Sequence, residues 1–188
     1  MTYANFLIAV RGFMNRTTTD LTQEAVDMIT VAANMAKSGA QRRHDFKMAR
    51  DRAFIAASGD GTALSAAATT PGGGTAVAIK KIEQAYLYGT SGSSYVRARK
   101  LRLITSQDMA NLLPSANAGE LNPAVPYYDP ATIAAFVRGT KLYAVGLGTT
   151  TGTYFWLDVI KYLPDYLADG SITDFFLDYH SDWLIAKT

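Results

Sequence analysis

Thr153-Tyr154-Phe155-Trp156-Leu157-Asp158-Val159-Ile160-Lys161-Tyr162 is the stretch on which the fold turns. Side chains alternate across a strand, so Tyr154, Trp156, Asp158 and Ile160 take one side and Phe155, Leu157, Val159 and Lys161 the other. Both sides are largely apolar near the start. That pattern asks for cover on both faces and predicts a strand covered by core on one side and by a neighbour on the other. Pro164 ends it.

Working upstream, residues 133–137 and 141–147 read as two further strands joined at Arg138-Gly139-Thr140, with a Gly/Thr loop before residue 153. Val125-Pro126-Tyr127-Tyr128 precedes them, after a loop at 115–123 and a helix at 106–113 that Thr105 or Ser106 caps and Pro114 closes. Residues 76–88 and 94–104 form a hairpin candidate around Gly89-Thr90-Ser91-Gly92-Ser93, a turn read as longer than the tight two-residue type. Ile82, Tyr86, Tyr88 and Tyr95 would supply its cross-strand contacts. Alternation over residues 46–55 predicts another strand. Residues 58–75, almost all Gly, Ala, Ser and Thr, offer little side-chain area to offset the entropy of ordering, and so read as a mobile loop.

The two ends of the chain are helical by pattern. Thr2 caps a short helix with Phe6, Leu7, Val10, Phe13 and Met14 on one face. Asp20 or Thr22 caps a longer one, with Val26, Ile29, Ala33 and Ala36 in a stripe, running to about Arg43 with a weak point at Gly39. Near the C-terminus, Ser171 caps a helix carrying Ile172, Phe175, Phe176, Tyr179 and Trp183 on one face and Asp174, Asp178 and Asp182 on another. Acids at i, i+4 and i+8 repel, so this face calls for a basic partner. The expected class is α+β: N-terminal helices (1–45) packed with a mostly antiparallel sheet or small barrel-like domain (46–165), then the amphipathic helix (166–188), all one structural unit.

The composition of the 188-residue chain narrows the chemistry. Net charge is 18 − 16 = +2, and there is no cysteine, which removes disulfides, thiolate metal sites and cysteine nucleophiles. No apolar run is long enough to span a bilayer, and the first ten residues lack the basic n-region of a signal peptide. The two histidines support no catalytic or metal site: His180 shares no helix face with Ser181 or Asp182, and a single imidazole is poor metal support. Gly72-Gly73-Gly74-Thr75 lacks the Gly-Lys-Ser/Thr ending of a phosphate loop. No cofactor and no enzymatic activity are expected.

Charge distribution says more than its sum. Arg42, Arg43, Arg50 and Arg52 make one basic flank, and Asp174, Asp178 and Asp182 an acidic one, a polarity that suits subunits packing flank to flank. Arg97, Arg99, Lys100 and Arg102 form a basic strand, its alternating arginines facing one way, as a candidate DNA-channel or intersubunit surface.

The order of these pieces resembles the head-to-tail adaptor (connector) proteins of tailed bacteriophages. It runs from short helix to a longer helix ending Gln41-Arg42-Arg43-His44-Asp45-Phe46, then strand, hairpin, Pro126-Tyr127-Tyr128, Gly139-Thr140-Lys141-Leu142-Tyr143, Tyr154 to Tyr162, and the terminal helix. The resemblance covers the whole chain and rests on the assembled order. It implies a ring, commonly a dodecamer, in the virion neck between portal and tail, assembled in the host bacterial cytoplasm. The implied partners are further copies of the chain, the portal protein, a tail or nozzle protein, and packaged DNA through non-specific contact. Many relatives continue past the terminal helix with a docking segment. Tyr and Trp in strands also fit a second reading, a virion surface or carbohydrate-binding module.

Overall fold

Element order along the chain is α1 (Tyr3–Phe13), α2 (Gln23–Arg43), β1 (Arg50–Ala56), β2 (Thr62–Ala63), β3 (Ala68–Thr70), β4 (Gly73–Ala76), β5 (Ile79–Ser91), β6 (Ser94–Ile104), β7 (Ala134–Arg138), β8 (Lys141–Val145), β9 (Tyr154–Lys161), α3 (Phe175–Tyr179) and α4 (Ser181–Lys187). This computed structural model describes residues 2–13, 23–58, 61–105, 134–145, 153–167 and 174–188. The expected helix at 106–113, the loop at 115–123, Pro126-Tyr127-Tyr128 and the caps at Asp20, Thr22 and Ser171 lie outside the described residues. The chain divides into a helical unit, Met1–Ala49 with Leu163–Thr188, and a sheet unit, Arg50–Tyr162.

In the sheet unit, nine strands pair in the order β2-β8-β7-β6-β5-β9-β1-β3-β4, antiparallel throughout except for β6 with β7. β9 lies between β1 and β5; one of its faces is core, while Tyr154, Trp156 and Asp158 on the other are only partly buried. Phe155, Leu157 and Val159 are wholly buried, opposite Ile55, Ala53 and Asp51 on β1. The core continues through Ala85, Leu101, Ala135 and Leu142. Alanines on this inner face leave room for the sheet to curl over the larger side chains of β9. Each large core side chain contributes about 1.5–3 kcal/mol by burial.

Three sequence expectations change here. First, the described residues 61–75 of this stretch are built into structure: β2, β3, most of β4 and a 3-10 turn at Leu64–Ala66 lie within them. Backbone ladders supply what small side chains cannot, with Leu64 N–H donating to Thr140 O at 2.8 Å, Val77 N–H to Ala67 O at 2.8 Å and Ala144 N–H to Ser58 O at 3.1 Å. Second, the β5–β6 turn is of the tight two-residue type, Gly92-Ser93 between the paired Ser91 and Ser94, with Gly92 at φ +61°. Third, the strand starts at Arg50, because Phe46 belongs to the helical unit and Lys47–Ala49 is a 3-10 turn.

Gly61 is a position where only glycine fits. Its φ is +78°, and a Cβ would lie 2.5 Å from Cε1 of Tyr143. Gly61→Ala is expected to cost about 1–3 kcal/mol. A denaturant midpoint shift at unchanged slope would register it.

The helical unit closes on Tyr3, Phe6, Leu7, Val10, Val26, Ile29, Ala33, Tyr166, Leu177 and Leu184. The α1 and α2 stripes read from sequence supply most of it, while Phe13 is exposed. Thr2 Oγ1 accepts from Asn5 N–H at 3.3 Å as the expected cap, and α2 runs unbroken through Gly39 to Arg43. The C-terminal helix differs from expectation. It breaks at His180 (φ −136°, ψ 29°) into α3 and α4, and Tyr179 is exposed rather than part of a buried aromatic face.

A polar cluster ties α2 to the returning chain. Lys37, fully buried, donates to Pro164 O, lies 3.4 Å from Asp174 Oδ2 and sits 3.5 Å over the Tyr166 ring. Asp174 Oδ1 accepts from Tyr166 OH at 2.7 Å and from the N–H groups of Phe176 and Leu177, which makes it the N-cap of α3. Asn34 exchanges two hydrogen bonds with the Tyr166 backbone, and Gln41 accepts from Leu163 N–H.

Candidate functional site

Cross-strand register gathers one aromatic and basic surface on the sheet face opposite the core. On β1 the outward positions are Arg52 and Phe54, which pair with Asp158 and Trp156 of β9. On the other side of β9, Gln84 and Tyr86 of β5 face the same two residues. Tyr88 follows Tyr86 on that face, and Arg97 and Tyr95 of β6 pair with Tyr88 and Thr90. Phe54, almost fully buried, lies at the centre, with ring centroids of Trp156 at 5.1 Å, Tyr95 at 5.5 Å and Tyr88 at 5.8 Å, all edge-on.

Two guanidinium groups rest on this cluster. Arg97 lies 4.6 Å from the Tyr86 centroid and 5.2 Å from that of Trp156, and Arg52 lies 5.8 Å from Trp156. Asp158 Oδ1 holds the arrangement by accepting from Arg97 at 2.6 Å and from Trp156 Nε1 at 3.3 Å. Arg50 pairs with Glu83 at 3.0 Å and Lys161 with Asp51 at 2.5 Å. Burial alone would raise the Asp51 pKa, but hydrogen bonds from Lys161 and the Arg52 N–H, with both cations nearby, bring it below the ordinary value. Arg50, Asp51, Arg52, Glu83, Arg97, Trp156 and Asp158 border a groove of about 630 Å³.

The expected site residues separate. Arg50 and Arg97 find carboxylate partners in the chain, and Arg52 lies against Trp156. Lys100 and Arg102 stand exposed on the aromatic face, but Arg99 does not share it. An irregularity between Leu87 and Tyr88 leaves Ala98 as an extra residue, so Arg97 pairs with Tyr88 and Arg99 with Leu87, whose β9 partner is the core residue Phe155. The expectation that the arginines of β6 all face one way is therefore corrected.

Arg42 and Arg43 are exposed at the end of α2, and Asp178 and Asp182 are exposed in the C-terminal helices. Asp174 is not part of an acidic surface. Its partner is Lys37 of the same chain, with both side chains nearly or wholly buried, which removes Asp174 from the candidate intersubunit residues.

The buried face of α2 was legible in part. Thr30, Lys37 and Gln41 are buried at i, i+7 and i+11, on the stripe that carries Ala33, so helical spacing marks Lys37 as inward-facing in spite of its charge. The Trp156, Asp158 and Arg97 constellation had no comparable signal, because it depends on which strands neighbour β9.

Among the described residues, no group of three His, Asp or Glu side chains is placed to hold a metal ion, and no helix is long and apolar enough to cross a membrane. The sheet face presents cations, π surfaces and amide groups, a chemistry that binds anionic and planar groups. Compared with known proteins, the chain matches no family model and no curated protein.

Proposed function

We propose that the protein is a structural head-to-tail adaptor of a tailed phage, a ring-forming subunit of the virion neck that contacts portal, tail or nozzle protein and packaged DNA, without catalytic activity. The observation that carries the reading is the outward face of the sheet, where exposed Lys100 and Arg102 share the aromatic face with Arg52, beside Arg97 in its pair with Asp158. Such a face neutralises phosphates without reading sequence, as passage of DNA through a ring requires. Exposed Arg42 and Arg43, and exposed Asp178 and Asp182, supply charges of both signs for contacts between copies.

Sedimentation velocity across a protein and salt series tests the assembly. Asp178→Asn with Asp182→Asn is expected to raise the half-assembly concentration several-fold, since an exposed ion pair contributes about 0.2–1 kcal/mol. Equal assembly of variant and parent at all salt concentrations would remove these acids from the interface. The carbohydrate-binding alternative draws less support, because guanidinium groups already lie against Trp156, where a sugar ring would stack.

A further inference from the structure

The helical unit carries a second concave surface, of which the adaptor reading uses only the rim residue Arg43. Its furrow runs along α2, where Ala36, Gly39 and Ala40 are small, and Met35 stands exposed at its edge. Phe46, Phe176 and Trp183 form the opposite wall, with Phe46 5.1 Å and Trp183 5.9 Å from the Phe176 ring. The cavity is about 600 Å³. A Cβ on Gly39 would meet nothing within 4 Å, so the furrow is open above it.

The rim has one sign of charge. The charged residues bordering the groove, Arg43 and Lys187, are both basic; His44 and His180 line it too, and no carboxylate is among the described lining residues. An apolar floor flanked by a guanidinium and an ammonium group repels a basic partner and gives a neutral one nothing to pair with them. We propose that this groove docks a short acidic segment of a partner protein, one that inserts an aromatic or aliphatic anchor over Gly39 and presents flanking carboxylates to Arg43 and Lys187. The anchor supplies apolar burial, and the guanidinium and ammonium groups set orientation and select against basic sequences. The inference rests on the helical unit alone, and because Arg43 is shared with the proposed ring contacts, Gly39→Leu, which touches no charge, is the variant that separates the two readings.

Fluorescence anisotropy of fluorescein-labelled peptides with the full chain tests it. The probe is Glu-Asp-Leu-Phe-Asp-Glu. The controls are Lys-Lys-Leu-Phe-Lys-Lys and Glu-Asp-Ser-Ser-Asp-Glu. The acidic apolar probe is expected to bind at least ten-fold more tightly than either control. Arg43→Glu with Lys187→Glu should weaken it ten-fold or more. So should Gly39→Leu, which fills the furrow while improving the helix and so preserves the fold. Equal binding of acidic and basic probes, or binding untouched by both variants, would overturn the proposal. Self-association of the chain that Gly39→Leu abolishes would also overturn it, by assigning the groove to a second copy.

Discussion

Asp174→Ala is expected to destabilise the helical unit by about 3–5 kcal/mol, the loss that follows when one member of a buried ion pair is removed and the other charge stays buried. Lys37 would keep Pro164 O, the Tyr166 ring and the more distant charge of Asp165, and α3 would lose its cap. Lys37→Met should cost less, because Asp174 retains the Tyr166 hydroxyl and two backbone donors. Urea unfolding followed by circular dichroism separates the two. Similar small losses for both would contradict the buried network.

The same cluster sets an alkaline limit. Burial, then the hydrogen bond and charge of Asp174, raise the Tyr166 pKa well above the ordinary 10.0, and burial raises that of Tyr3 despite its bond to Thr30. Above about pH 10 the unfolded chain therefore loses protons that the native chain keeps, and stability falls. Lys37 acts the other way: burial lowers its pKa from 10.5 despite Asp174, so its contribution rises between the lowered native value and 10.5. The net expectation is stability that holds to about pH 10 and then declines, with a shallower decline in Tyr3→Phe with Tyr166→Phe.

Phe155→Ala is the second large effect, about 3–5 kcal/mol, since it empties a fully buried site at the centre of the sheet. Its neighbour Trp156 points to the opposite face and is only partly buried. Trp156→Ala should cost clearly less stability while loosening Arg97 and Arg52. Equal costs at the two positions would contradict the assignment of the faces. Thermal unfolding monitored by circular dichroism measures both.

What the sequence disclosed follows from how local each signal is. Strand alternation over 153–162 and the helical stripes of α1 and α2 are local, and each led to the right element with ends within a few residues. The strands within 61–75 have no local signal, because their stabilisation comes from ladders to strands far along the chain, as at Leu64 with Thr140. The break at His180 has no glycine or proline to mark it, and the regular spacing of Asp174, Asp178 and Asp182 argued for continuity. That spacing also concealed Asp174 as a cap. The split of Arg99 from Arg97 depends on one extra residue in a ladder, which shifts a side chain to the other face without any trace in composition.

The adaptor reading meets its most direct test in native mass spectrometry of the full chain, alone and mixed with a purified phage portal ring. The account predicts a closed ring of identical subunits, a dodecamer as the resemblance implies, at least when the portal is present. A chain that stays monomeric in both samples would contradict it.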